Sequence, residues 1–369
     1  MEFKINRETF LDGIQKTLGI VEKKTTIPIL NNILLKADAN KIKIIATDRE
    51  IILISDYEAD VMEKGEITIS AKKLFEMIRE IQGDVINFVQ KNNIVKISSQ
   101  RAFYKIPGLP ADDFPNIADD QDIPLFKIPG NILKDLINKT SFAMATDETR
   151  KNLNGVLLEE GMDGVNHLMR MVATDGHRLA LAKSMTSGHF FKTGKGIIIP
   201  RKGLMEIKKI IDENEDVKIG LHKNMFVLQT ENTILKVSLV DADYPDYKKV
   251  IPAEKGIKVV LEKEYFLHAL RRMSVVSSER YGGVILSFTK GKLTLNSTNL
   301  DVGEATEEID VDYDGEVIDS GFNVNYLIDA ISAANKENIV FEVGLGLKPS
   351  MIKQAEDDNY LCIIMPLKI

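Results

Sequence analysis

The sequence has a single cysteine, Cys362, which excludes an internal disulfide framework and any multi-cysteine zinc site. Its five histidines, His167, His177, His189, His222 and His268, are scattered without metal-ligand spacing, so no metal centre is expected. Apolar runs are short and broken by Lys, Asp or Glu, and nothing approaches the ~20 apolar residues that a membrane helix needs. The opening MEFKINRETF is charged from its second residue and lacks the apolar core of a signal peptide, so a cytoplasmic protein with no membrane partner is expected. Gly194-Lys195-Gly196 lacks the spacing and the Lys-Ser/Thr pair of a P-loop. Gly344-Leu345-Gly346 lacks the third glycine of a dinucleotide fingerprint, and no cofactor is implied. Positive charge is short as well: the formal net charge is −7, which taken alone argues against a nucleic-acid partner.

What is present is a repeat. Three stretches begin with a short strand pattern and continue as an amphipathic helix: Phe3-Lys4-Ile5 into Asn6–Lys24, Phe126-Lys127-Ile128 into Gly130–Ser141, and Val259-Val260-Leu261 into Glu262–Met273. Two strand patterns follow each, Ile29–Lys36 with Lys41–Ala46, Gly155–Glu159 with His167–Ala173, and Gly283–Phe288 with Lys292–Asn296. A polar pair then closes the unit, Thr47-Asp48, Thr174-Asp175 and Thr298-Asn299. A second strand and helix recur in ITISAKKLFEMIREI, IIIPRKGLMEIKKII and DSGFNVNYLIDAISAA, placing helices at Lys72–Ile81, Arg201–Glu213 and Val324–Lys336. Further strands end each unit. The order and short connections predict an α+β fold of three repeated domains with antiparallel sheets, spanning 1–120, 124–250 and 254–369.

ATDGHRLA, Ala173 to Ala180, is the segment that most resembles a catalytic motif, since Asp175 and His177 could orient each other as an acid/base pair. The repeat argues otherwise. Asp48 and Asn299 occupy the matching turn with no neighbouring histidine, so the Asp reads as a turn residue capping its own backbone. No nucleophile is fixed nearby, and no catalytic residue is expected. A hydrolase using Asp175 and His177, or a three-domain scaffold, are the rival readings. Charge distribution then qualifies the net charge. The six predicted helices sum to +5, leaving −12 on the rest of the chain. Helices gathered on one side would make that side positive.

The ordered motifs LPADDFPN (Leu109–Asn116), LNGV (Leu153–Val156), ATDGHRLA, PRKG (Pro200–Gly203), YPDYKKVIP (Tyr244–Pro252), GFNVNYL (Gly321–Leu327) and MPLKI (Met365–Ile369) span the whole chain and resemble the bacterial sliding clamp, the beta subunit of DNA polymerase III. The resemblance implies a DNA-clamp fold closed into a ring-shaped head-to-tail homodimer, with helices lining a central hole and sheets outside. It implies a non-enzymatic role in DNA replication, encircling duplex DNA without reading its sequence and conferring processivity on the replicative polymerase. DNA-contacting positions would fall on Lys24, Lys72, Asp147, Arg150, Lys151 and Asn152, joined by the basic pair Arg201 and Lys202. Asp147 carries the wrong charge for phosphate, and Lys151-Asn152 replaces a pair that is aromatic in some members. The dimer contact would set Tyr104 and Ile106 against Val275 and Val276. A peptide pocket for the polymerase, clamp loader, translesion polymerases and repair proteins would be lined by Leu153, Thr174, Gly176, His177, Arg178, Leu179, Pro245, Lys249, Val250, Asn323, Tyr326, Ile363, Ile364, Met365, Pro366 and Leu367.

Overall fold

The computed structural model of the 369-residue chain describes residues 1–21, 27–117, 123–188, 191, 196–252, 256–277 and 282–368. Lys24, His189, Gly194 and Lys195 lie outside the described residues, as do most of the two predicted domain junctions. Six α-helices are described: α1 Arg7–Thr17, α2 Ala71–Glu80, α3 Gly130–Thr140, α4 Arg201–Ile210, α5 Lys263–Val276 and α6 Val324–Ser332. Each coincides with a predicted helix. The strand-to-helix junction is chemically the same in several of them, because the last strand residue caps the helix. Asn6 Oδ1 accepts from the N–H groups of Glu8 and Thr9, Glu262 from those of Glu264 and Tyr265, and Asn323 from those of Asn325 and Tyr326. None of the described helices is long and apolar enough to cross a membrane.

The chain divides into two compact units, residues 1–131 with 202–239, and residues 132–201 with 240–369. In the first, a five-stranded antiparallel sheet runs in the order Asp60–Glu63, Glu2–Asn6, Val85–Lys91, Ile94–Ser99, Ala102–Pro107. Phe3, Phe10 and Phe88 form an aromatic cluster there, Phe3 stacked on Phe88 at 4.6 Å. An eight-stranded sheet runs Leu125–Pro129, Asp216–His222, Met225–Gln229, Thr233–Ser238, Ile51–Glu58, Lys41–Thr47, Asn32–Asp38, Gly65–Ser70. Its join between repeats is the pairing of Val237 with Ile51 through Thr233 with Ser55.

The second unit repeats the arrangement. Its eight-stranded sheet runs Ile197–Pro200, Gly155–Asp163, Asn166–Thr174, Arg178–Thr186, Asp357–Ile364, Ser350–Gln354, Asn338–Val343, Ile257–Glu262, and a four-stranded sheet runs Gly303–Asp310, Lys292–Asn299, Gly283–Thr289, Ile318–Asn323. The join between repeats is now Arg178 with Ile364 through Ala182 with Tyr360. The middle repeat therefore gives strands to one long sheet in each unit, which is why the compact units do not coincide with the repeats. Each repeat has a strand not expected from sequence, Ile51–Glu58, Arg178–Thr186 and Gly303–Asp310, each of which returns antiparallel along its predecessor, and the first repeat adds the short Asp60–Glu63. The Thr-Asp and Thr-Asn pairs are the tips of those hairpins.

Candidate functional site

The turn at Thr174–Arg178 is built from its own side chains. The Thr174 hydroxyl donates to the Arg178 carbonyl at 2.6 Å and accepts from the Gly176 N–H at 3.1 Å. Asp175 Oδ1 accepts from the N–H groups of His177 and Arg178 at 2.9 and 3.0 Å. Gly176 has φ 92°, the left-handed region that a residue without Cβ enters freely. The second Asp175 oxygen takes Arg178 Nε at 3.1 Å. Both carboxylate oxygens are thus committed to structure, and the contact with His177 is through its backbone N–H. Oδ1 does what the turn reading expects of Asp175, while Oδ2 is taken by the Arg178 side chain.

Arg178 carries the turn outward. Its side chain is 10% exposed, Nη1 donates to Asp329 Oδ2 at 2.6 Å and Nη2 to the Phe142 carbonyl at 2.6 Å. The guanidinium carbon lies 4.3 Å from the centre of the Tyr326 ring and 5.3 Å from that of Phe142. Burial works against its charge, but the hydrogen bond and charge of Asp329, with the charge of Asp175, outweigh it and raise the pKa above the ordinary arginine value. Asp329 and Phe142 were not among the residues expected from sequence. Asp329 stands one turn after Tyr326 on α6, a spacing that puts both on one helix face.

Two cavities lie in this unit, the first of them bordering the turn. One of about 530 Å³ is lined by Phe142, Met144, Arg150, His177, Arg178 and Tyr326 among others. The other, about 600 Å³ and more apolar, has Lys249, Val250, Ile257, Leu345, Met351 and Met365 on its walls. A hydrogen bond links their walls: the N–H of Met365, from the second, donates to the carbonyl of His177, from the first, at 2.9 Å. Leu179 and Ile363 are buried beneath, packed with Leu157, Val172, Tyr247 and Met351, and Ile364 is fully buried beside them. Pro366 and Leu367 are half-buried, the Leu367 N–H bonding the Gly321 carbonyl at 2.8 Å just before the Asn323 cap of α6. Leu153 is half-buried and donates to the Arg150 carbonyl, while Pro245 is exposed and its carbonyl accepts from Tyr247. The Tyr247 hydroxyl donates to Glu159 Oε1 and accepts from Arg170 Nη1, tying the turn that bears Lys249 and Val250 to the sheet. Burial, with Glu159 adding to it, pushes the Tyr247 phenol up to about 12.

The residues expected to meet phosphate are differently placed. Lys72 is exposed on α2, 3.9 Å from Glu76, and Lys151 is exposed. Arg150 Nη1 donates to the Asp175 carbonyl at 3.0 Å, Asn152 bonds the Asp243 carbonyl at 3.4 Å, and Arg201 Nη1 bonds the Met144 carbonyl at 3.5 Å. Lys202 is ion-paired with Asp48, whose side chain is 3% exposed. Hydrogen bonds from the Thr149 hydroxyl and N–H hold the Asp147 carboxyl below its ordinary pKa, so it is negative at neutral pH. Tyr104 and Ile106 are half-buried on Ala102–Pro107, the outer strand of the five-stranded sheet. Val275 is 77% exposed and, with Val276, ends α5, which packs on the outer strand Gly303–Asp310 of the four-stranded sheet.

Comparison with known proteins covers this whole framework. Residues 1–118, 127–246 and 248–368 match the family models for the N-terminal, central and C-terminal domains of the DNA polymerase III beta subunit. The chain is 32% identical to the beta sliding clamp of Pseudomonas aeruginosa and 33% identical to that of Caulobacter vibrioides, each alignment covering 100% of both chains. Among solved structures it is similar to a Pseudomonas aeruginosa sliding clamp bound to griselimycin (TM-score 0.93, 31% identity) and to one from Bartonella birtlesii bound to the same molecule (TM-score 0.95, 29% identity), each covering 100% of both chains. A three-domain clamp fold matched from end to end at these identities means that the chain belongs to the beta sliding clamp family, the DNA polymerase III beta subunit, a non-catalytic processivity factor of DNA replication.

Proposed function

We propose that two copies of this chain join head to tail into a ring that encircles duplex DNA, with the six helices of each copy facing the hole, and that the ring tethers the replicative polymerase. The observation that carries this reading is a pair of uncovered sheet edges of opposite charge. Ala102–Pro107 follows Arg101 and carries Lys105, while Gly303–Asp310 carries Glu304 and Asp310, together with Glu307 and Glu308, which are paired with Arg272 and Lys292 of the same chain. An open edge is a template for another strand, and a heterologous contact of this kind closes after two copies if the rotation allows. The residues Tyr104, Ile106, Val275 and Val276 would lie at that junction. Helices summing to +5 support a lining that attracts phosphate weakly, and such sequence-independent contacts permit sliding. The intrachain bonds of Arg150, Arg201 and Lys202 leave the exposed Lys151, and Lys72 with its long 3.9 Å pair to Glu76, as the stronger candidates for that role among the described residues; Asp147 and Asn152 are the weaker ones, and Lys24 lies outside the described residues. Domain limits of 1–120, 124–250 and 254–369 suit this arrangement, and the family-model ranges support them.

The two cavities around the Met365–His177 bond are the partner pocket in this reading, taking a short peptide with apolar anchors from the polymerase, the clamp loader, translesion polymerases and repair proteins in turn. Griselimycin, present in two of the related structures, is proposed to bind there as well. The ring is tested by loading the protein onto nicked circular DNA with a clamp loader and then linearising the DNA. Release on linearisation is expected, and equal retention on circles and linear DNA would sink the topological claim. Sedimentation should give a dimer at micromolar concentration.

A further inference from the structure

We propose that Asp329 is a positioning residue for the partner pocket, acting through Arg178 to fix the ring of Tyr326. The proposal rests on the reading of that pocket as a peptide site. The guanidinium is a flat plate with donors at three nitrogens, and each is directed to a different element: Nε to Asp175 in the hairpin tip, Nη2 to the Phe142 carbonyl, Nη1 to Asp329 on α6. Three divergent anchors leave the plate no rotation. The Tyr326 ring rests against it at 4.3 Å, so the plate's orientation becomes the ring's. Asp329 is the one anchor that comes from the helix bearing Tyr326, three residues further on. It therefore sets plate and ring relative to each other, whereas Asp175 and Phe142 hold the plate from other elements. Replacing the Asp329 carboxylate by a neutral amide cuts its hold on Arg178 to an uncharged hydrogen bond and lets the plate tilt, and Tyr326 then samples positions that a ligand must first select against. Asp329 also lines the cavity, and a direct contact of its own with the ligand would show as additive losses in the double variant below.

The test titrates griselimycin calorimetrically into the full-length protein and its variants, with a thermal melt on each. Asp329→Asn should weaken binding about fivefold, the order expected when one half-exposed charge pair is lost, with the melting midpoint nearly unchanged, and Asp329→Glu should recover most of the affinity. Tyr326→Ala should weaken binding further. The decisive reading is the double variant Asp329→Asn/Tyr326→Ala, which should bind no more weakly than Tyr326→Ala alone, because Asp329 acts through that ring. Additive losses, or wild-type affinity in Asp329→Asn while Tyr326→Ala and His177→Ala are weakened, would overturn the positioning role and leave the pocket reading standing. Wild-type affinity in Tyr326→Ala and His177→Ala together would remove the pocket reading and this proposal with it.

Discussion

The hairpin tips at Thr47–Ile51 and Thr174–Arg178 are the same turn with different consequences. In both, the threonine hydroxyl bonds the carbonyl four residues on and accepts the N–H two residues on, and the aspartate Oδ1 caps the next two N–H groups. The third residue is left-handed in each, Arg49 at φ 80° and Gly176 at φ 92°. They part at the fifth residue. Ile51 is 1% exposed and ends in the core of its own sheet, while Arg178 turns to Asp329, Phe142 and Tyr326. The free oxygen of the aspartate follows suit: in the first turn it is met by Lys202, in the second by Arg178 itself. A repeated turn thus buries its fifth side chain in its own sheet in one place and lines a cavity with it in another.

The sharpest way to break that comparison is Arg178→Ile, which writes the first turn's residue into the second. It leaves Asp175, Asp329 and the Phe142 carbonyl without their donor, and loss of one partner of a largely buried charge cluster should cost about 3 kcal/mol. Urea unfolding would show this as a lower midpoint at unchanged slope, and griselimycin binding should be lost. The converse perturbation, Asp48→Ala, removes the cap of the Glu50 and Ile51 N–H groups and the partner of Lys202. Leaving two turn donors unmet should cost about 2 kcal/mol, while griselimycin affinity stays at the wild-type value. A drop in affinity there would mean that the first turn is not inert.

Much of this was legible in the sequence. Helix positions follow from apolar spacing, a local signal, and the Thr-Asp tips follow from side chains that bond within four residues. What escaped is what spans elements. Arg178 meets Asp329 across 151 residues and Phe142 across 36, and Lys202 meets Asp48 across 154. Spacing along a chain identifies neighbours within a helix or strand and carries no information on such pairs. For the same reason the sequence is silent on the bonds that Arg150, Arg201 and Lys202, expected to meet phosphate, make within the chain. The strand Gly303–Asp310 escapes a sequence reading because GEATEEID carries little apolar weight: only Ile309 of its inward face is buried, and the rest is the charged composition of a sheet edge.

The smallest expected effects exchange the third residue between the turns. Gly176→Ala places a Cβ 3.6 Å from Arg150 Nη1, an ordinary contact, so the cost is conformational and not steric. A side chain in the left-handed region costs about 1–2 kcal/mol, and the stiffer unfolded chain returns about 0.4–1, for a net loss of about 1 kcal/mol. Arg49→Gly runs the same cycle backwards. Arg49 already bears the left-handed penalty, its side chain is exposed, and relief of strain should exceed the added freedom of the unfolded chain by about 0.5 kcal/mol. Opposite signs in paired urea titrations are what a shared backbone turn requires. If Arg49→Gly instead destabilises the protein, the arginine side chain holds something outside its turn, and the first hairpin tip, like the second, serves more than its own backbone.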